Sequence, residues 1–302
     1  MRQVTISVPA TSANLGPGFD CLGIALSLRH YVTITEKREP GVEISAEGED
    51  AGLIPRDETN LVYQSMTQLF RRVGGEPAGL HIHQKNEIPI ASGLGSSSSA
   101  VLAGLFGANE LAGSPLSREE VLQLATDLEG HPDNVAPAVY GGLVLGVQGE
   151  EGLSVDRLDI ASLALVVVLP DVVLLTEDAR AVLPKEVPFA DAIFNNSRVG
   201  MLIHALQTGA YDRLDVAMQD RLHQPYRIPL VTGMAEAMQA ARAAGAAGVA
   251  LSGAGPSLIA FAEEGHEAIA AAAAAAFKHA GVDTRQWHLI VDKEGTLIQN
   301  KP

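Results

Sequence analysis

The chain has one cysteine, Cys21, in 302 residues. An internal disulfide is excluded, and so is a zinc site built from several thiolates. A reduced compartment fits that usage. Positive charge is also scarce: 21 Lys and Arg against 36 Asp and Glu leave a net charge of −15. This argues against nucleic acid or an anionic membrane surface as the main partner. An anionic ligand would have to be held by local fields. Long apolar runs are missing too. The longest, AIAAAAAAAF from Ala268, is mostly alanine and too short to span a bilayer. It reads as a close-packed helix of high intrinsic propensity. The opening MRQVTISVPA alternates polar and apolar residues and lacks the apolar core of a signal peptide. The expectation is a cytoplasmic protein.

What is present is a large apolar fraction, 47% of residues, enough for a sizeable core. At roughly 150 residues per domain, the length suits two domains. VTISVPA and YVTITEK alternate with period two and read as half-buried strands. NLVYQSMTQLFRRVGG carries apolar groups at helical spacing from Leu61 and stops at Gly74 and Gly75. LHIHQ is a further short strand. SREEVLQLATDLEG is a helix opened by Ser117 as N-cap, with Glu120 at capping-box spacing. GGLVLGVQGEEG runs from a strand into acidic turns, so the domain boundary is expected near residues 150–158, dividing 1–153 from 154–302. The second half opens with LALVVVLP, a buried-strand run. Helical patterns follow over residues 192–207 and 231–244. Then come the strands GVALSG and LIAFA, joined through SGAGPS, the alanine-rich helix, and a last strand, RQWHLIV. Strands and helices mix without regular alternation, so the expected fold class is α+β.

One stretch stands apart. IPIASGLGSSSSAVLAGL, residues 88–105, runs two glycines into four serines and then into an apolar helical pattern. A helix N-terminus carries unsatisfied N–H groups and about half a positive charge. A glycine-rich loop before it lets the backbone approach a ligand, so the stretch can bind phosphate. Its hydroxyls suit phosphate oxygens or magnesium. It is not a Walker A loop, because no lysine follows the glycines. It is not a dinucleotide fingerprint either, because Ser98 stands where the third glycine is needed.

Taken with three other segments, the loop resembles the GHMP kinase superfamily. The others are PATSANLGPGFDCLGIAL (Pro9–Leu26), EGHPDNVAPAVYGGLVL (Glu129–Leu145) and LSGAGPSLIAF (Leu251–Phe261). The second of these is closest to the branch of the superfamily that phosphorylates homoserine. The resemblance implies a two-domain α+β fold. Its N-terminal, ATP-binding domain is like ribosomal S5 domain 2, with a left-handed βαβ crossover. Its C-terminal domain is ferredoxin-like, and the active site lies between them. It also implies ATP and Mg²⁺ as cofactors, L-homoserine as substrate, a role in threonine biosynthesis, and a homodimer. Rival readings are another small-alcohol kinase of the superfamily, or a silent nucleotide-binding relative.

The site residues follow from the same resemblance. Pro89, Ile90, Ala91, Ser92, Gly93, Leu94, Gly95, Ser96, Ser97, Ser98 and Ser99 would wrap the triphosphate. Asn60 is either a nucleotide contact or the N-cap of its helix. Ser97 and Glu129 would hold magnesium, a sensible set of hard oxygen ligands. Homoserine carries an ammonium, a carboxylate and a hydroxyl. Asp20 is the candidate for the ammonium, and Arg180 and Arg227 are candidates for the carboxylate, which a planar guanidinium matches bidentately. Asn14 and Asn134 would lie near the reacting hydroxyl, with His131 lining the same pocket. Asn134 cannot take a proton, and Asp133 is expected to point elsewhere, so direct in-line attack by the hydroxyl is expected. SGAGPS would pack beside the first motif rather than bind phosphate.

Overall fold

The alternating N-terminus forms a long antiparallel hairpin of β1 (Gln3–Asn14) and β2 (Gly18–Lys37). The computed structural model describes residues 2–150 and 152–301. After the hairpin come β3 (Gly41–Gly48), α1 (Leu61–Val73) and β4 (Gly79–Asn86). α1 starts at an Asn60 cap and ends at Gly74, which has positive φ. α2 (Ser96–Leu111), α3 (Arg118–Glu129) and α4 (Pro132–Tyr140) follow, and Ser117 and Glu120 close the capping box of α3. β5 (Leu143–Gly149) and β6 (Gly152–Leu158) complete this part of the chain.

The second part comprises β7 (Ala164–Pro170), α5 (Thr176–Ala181), α6 (Phe189–Thr208), α7 (Leu214–Ala217), α8 (Gln224–Arg227), α9 (Met234–Ala243), β8 (Gly248–Leu251), β9 (Leu258–Ala262), α10 (His266–His279) and β10 (Thr284–Ile290). The chain then returns as β11 (Leu297–Lys301).

Two sheets result. One has seven strands, in the order β11-β1-β2-β4-β3, with β5 pairing β2 and β6 pairing β5. The other is antiparallel, β10-β7-β9-β8. Numbered within the second unit this is the order 4-1-3-2 of a βαββαβ chain, the ferredoxin-like arrangement. The expected class, α+β with two units, holds. The expected cut between 153 and 154 falls inside β6, which pairs residue by residue with β5. β11 pairs with β1 over Gln3–Ser7, so the last strand of the chain belongs to the first sheet. Five mixed residues, LIQNK, carry too little periodicity to announce that return.

The first core lies between the large sheet and helices α1 to α4, where Ile6, Ile34, Met66, Leu69, Leu102 and Val139 are buried. Another cluster joins the two units: Leu15, Leu22 and Ile24 of the hairpin meet Leu165, Leu202 and Phe261. Burial of each such side chain is worth roughly 1.5–3 kcal/mol. The cleft between the units therefore has a packed floor, not a hinge of loose contacts. Among the described residues, no helix is long and apolar enough to cross a membrane.

Candidate active site

The glycine–serine stretch is the turn that starts α2. Gly95 is the N-cap, with φ +70°, and Gly93 has φ +77°. A Cβ on Gly95 would stand 2.1 Å from Thr11 Oγ1. The absent side chain lets Thr11 reach across to Asn134, whose Oδ1 accepts from Thr11 Oγ1 at 2.9 Å. Thr11 N also donates to Leu94 O. The first-turn N–H groups of α2, from Ser96 onward, have no intrahelical partner to bond. At the start of the loop, Ile90 N donates to Asp50 Oδ2 at 3.0 Å.

Glu129 is the last residue of α3. Its carboxylate accepts from Ser97 Oγ at 2.8 Å and from Ser98 Oγ at 2.6 Å. The expected Ser97–Glu129 pair is therefore assembled at the head of α2, with Ser98 holding the second oxygen. Ala91, Gly93, Gly95, Ser96, Ser97, Ser98, Glu129 and Asn134 line one cavity of about 380 Å³. Pro89, Ser92, Leu94 and Ser99 are buried behind that wall. There Ser92 Oγ donates to Pro89 O and Ser99 Oγ to Ser96 O, so these residues shape the loop.

The far end of the same cavity is charged. Asn14, Asp20, His131, Asp133, Arg180 and Arg227 line it. Asp20 and Arg180 meet each other in a bidentate pair, with Nη2–Oδ1 at 2.7 Å and Nη1–Oδ2 at 3.1 Å. That hydrogen bond raises the Arg180 pKa, with burial opposing it. Arg227 is only 1% exposed. Its Nε donates to Ala179 O at 3.0 Å, and its Nη1 reaches His223 Nδ1 and Gly253 O. No carboxylate is paired with it among the described residues. Burial, then the charge of Arg180, pushes the Arg227 pKa down to about 10. Phe19 lies under both guanidinium groups and stacks on His223.

One expectation needs correction. Asp133 does not point away. It is 2% exposed, lines the cavity, and its Oδ1 lies 2.5 Å from His131 Nδ1. His131 is the N-cap of α4 and Asp133 is in its first turn, where a carboxylate is favoured and can fold back on the cap. Burial works against the charge of His131, but the hydrogen bond and charge of Asp133 win and its pKa is raised. Ligand atoms of Asp20, His131 and Asp133 all lie within 4.8 Å of one another. Asn14 also lines the cavity. Its Nδ2 donates to Gly253 O at 3.0 Å and its Oδ1 accepts from Asp20 N at 3.0 Å, which leaves one N–H and one lone pair of the amide. Asn14 and Asp20 both have positive φ, +70° and +57°, a backbone state costing roughly 1–3 kcal/mol per residue. Asn14 thus fixes the turn that presents Asp20.

A second cavity, a slot of about 190 Å³, opens on the other side of α2. Ile54, Pro55, Leu61, Val62 and Ile90 give it apolar walls, and Ser96 and Ser97 are shared with the first cavity. Asn60 lines it but is also the N-cap of α1. Its Oδ1 accepts from Val62 N and Tyr63 N, and its Nδ2 donates to Pro55 O. Thr11, His223 and Phe19 were not singled out by sequence reasoning. Thr11 and Phe19 carried a signal, by standing inside the first motif, and His223 carried none.

Comparison with known proteins adds to the geometry. Residues 60–142 match the family described as GHMP kinases N terminal domain, and residues 202–280 match GHMP kinases C terminal. A homoserine kinase of Moorella thermoacetica is 47% identical over 97% of this chain and 99% of its own length. One from Trichormus variabilis is 44% identical over 98% of each. The crystal structure of a homoserine kinase from Cytophaga hutchinsonii superimposes with a TM-score of 0.87 at 31% identity, covering 98% of this chain and 97% of that one. A mevalonate kinase of L. major shares the fold, with a TM-score of 0.74 at 20% identity over 95% of each chain.

Proposed function

The chain belongs to the GHMP kinase family, and within it we infer an enzyme that transfers the γ-phosphoryl group of ATP to the hydroxyl of L-homoserine. The product is O-phospho-L-homoserine, on the route to threonine. One observation carries the substrate choice. A single cavity has a helix N-terminus at one end and, at the other, a carboxylate beside a buried guanidinium that no carboxylate pairs among the described residues. That is a phosphate site facing a site for a zwitterion.

The roles of the residues follow from what each can still offer. The backbone of Gly93–Ser98 and the first turn of α2 cradle the phosphates. The apolar slot beside α2 takes the base. Ser97 Oγ and the Glu129 carboxylate, both hard oxygens at the mouth of the loop, fit magnesium. Bound there, the ion would neutralise charge on the triphosphate. The substrate carboxylate goes to Arg227 and Arg180, and the ammonium to Asp20 and Asp133. The Asp20–Arg180 pair then exchanges each partner for a group of the substrate. Thr11 holds Asn134 Oδ1, leaving Asn134 Nδ2 to donate to the substrate hydroxyl. The transition state is loose and asks little charge of the nucleophile, so the positioned hydroxyl attacks directly and its proton leaves to phosphate or solvent.

The test is a coupled ADP-release assay on L-homoserine, mevalonate, galactose and 4-hydroxybutyrate. Homoserine should be preferred throughout. The last compound lacks only the ammonium and should fall about 10- to 150-fold in kcat/KM, the worth of one charge-assisted hydrogen bond. Equal or better kcat/KM with mevalonate or galactose would overturn the assignment.

A further inference from the structure

His223 takes no direct part in phosphoryl transfer, yet it is buried beneath the charged end of the cavity, at 0% exposure. It is the N-cap of α8, and its backbone is pinned. Asp220 accepts from the N–H groups of Leu222, His223 and Gln224, at 2.9, 3.0 and 2.6 Å, and from Asn195 Nδ2 at 2.7 Å. The ring is held by stacking on Phe19, with centroids 5.0 Å apart. It also joins the two units. Nε2 meets Gly16 O, in the turn between β1 and β2, at 2.7 Å, and Nδ1 meets Arg227 Nη1 at 3.3 Å. Gly16 is packed so closely on the second unit that a Cβ there would stand 2.3 Å from Met218 O.

The partners of the ring fix its tautomer, because neither can change role. A carbonyl oxygen only accepts and a guanidinium only donates. The Asp220 carboxylate, with Oδ2 3.5 Å from Nε2, likewise only accepts. Nε2 therefore carries the hydrogen, and Nδ1 is the acceptor. Burial lowers the His223 pKa, with the charge of Asp220 opposing it, so the ring is neutral near neutral pH. The consequence falls on Arg227. Its Nε donates to Ala179 O, and its Nη1 spends one N–H on His223 and the other on Gly253 O. Among the described residues Nη2 has no partner, so Nη2 is what the guanidinium offers to the cavity that Arg227 lines.

We propose that His223 is a positioning residue for the substrate carboxylate: its Nδ1 holds Arg227 Nη1 and so aims Nη2 at that group. The proposal rests on the reading that gives the carboxylate to Arg227. Among the described residues, His223 is the one side chain hydrogen-bonded to this guanidinium. The backbone alone holds it less firmly, because Gly253 O is 3.4 Å away and also accepts from Asn14 Nδ2. A neutral acceptor suits the task. A carboxylate in its place would pair with the charge that the substrate needs, and a cationic imidazole would repel the guanidinium. The ring orients Arg227 without cancelling it. Placement matters here, since an error of about 1 Å in a positioning group can cost about a hundredfold in rate.

Two amide variants separate the two hydrogen bonds of the ring. Asn places a polar atom about where Nδ1 lies, and Gln about where Nε2 lies. His223→Asn therefore keeps an acceptor for Arg227, and His223→Gln keeps only the donor to Gly16 O. Each is assayed with L-homoserine and with 3-aminopropan-1-ol, which lacks only the carboxylate. His223→Gln should raise KM for homoserine, leave KM for ATP alone, and shrink the preference for homoserine over the amino alcohol about tenfold in kcat/KM. His223→Asn should keep the wild-type preference within about threefold. In an Arg227→Met background, His223→Gln should move the preference by less than about threefold, because the partner is already gone. An unchanged preference in a folded His223→Gln, or an equal loss in His223→Asn, would overturn the proposal. Spectra guard against variants that do not fold. ¹⁵N signals of the wild-type imidazoles should place the His223 hydrogen on Nε2, with an Nδ1 signal that moves in Arg227→Met. A hydrogen on Nδ1, or a signal that ignores Arg227→Met, would also overturn it. If homoserine is not turned over at all, the kinase reading fails, and the spectra still decide whether His223 holds Arg227.

Discussion

Two glycine-rich loops lie back to back in this protein, and they do opposite things. SGLGSS, residues 92–97, runs from strand side to helix and turns unpaired N–H groups outward. SGAGPS, residues 252–257, runs from β8 to β9 and turns carbonyl oxygens inward. Gly253 O accepts from Asn14 Nδ2 and from Arg227 Nη1, at 3.0 and 3.4 Å. Gly253 N closes the packing on Ala13 O, and Ser252 Oγ donates to Gly93 O. One loop is a surface of donors fit for anions. The other is a set of acceptors that steadies an amide and a guanidinium. Glycine content is the same signal in both. The element that each loop leads into, a helix or a strand, decides which polar groups are left free.

The comparison breaks most completely where the loops touch. A Cβ on Gly93 would stand 2.3 Å from Ser252 O and 2.7 Å from Gly255 O, at a φ of +77° that L side chains rarely adopt. Gly93→Ala should push the loops apart and displace both substrates. We expect a loss of about a thousandfold or more in kcat/KM, equivalent to about 4 kcal/mol, with a lower melting temperature by circular dichroism. Wild-type stability and activity would show that the loops are independent.

A change confined to the donor loop is the next largest. Glu129→Gln keeps the hydrogen bonds of Ser97 and Ser98 within reach but removes the charge. It should lower kcat by about a hundred- to a thousandfold, the usual effect of losing one preorganised electrostatic group, and raise the Mg²⁺ requirement. Calorimetry without nucleotide should find homoserine binding unchanged. A variant with wild-type Mg²⁺ dependence would remove Glu129 from the metal set.

The smallest effect belongs to the acceptor loop. Arg227→Met should cut kcat/KM for homoserine about 10- to 150-fold and leave KM for ATP alone. The melting temperature should hold or rise, because a desolvated cation is replaced by an apolar side chain. A lower temperature with unchanged homoserine kinetics would make Arg227 a packing residue.

The sequence disclosed the parts of the site that are local. Loop, helix start and serines are contiguous, and the helix opened by the Ser117 capping box ends at Glu129, so each could be read in one window. Asp20 and Arg180 are 160 residues apart, and no window could show that they pair with each other. Asp133 was misread because periodicity gives the direction of a side chain within a helix, not in a first turn that folds back on its own cap. The fold was legible where strands alternate strongly and illegible at β11.

That last strand has a consequence in time. The sheet beside the glycine–serine loop includes Gln3–Ser7 and is completed by Leu297–Lys301. Arg29, buried in the hairpin, likewise finds Asp292 and Gly295 only at the far end. Domains usually fold as units, N-terminal first, as a chain is synthesised. Here the first unit cannot close its own sheet edge until residues 297–301, which follow the whole second unit, have been made. A product cut before Leu297 would carry every residue of the glycine–serine loop and still lack the strand that completes its sheet.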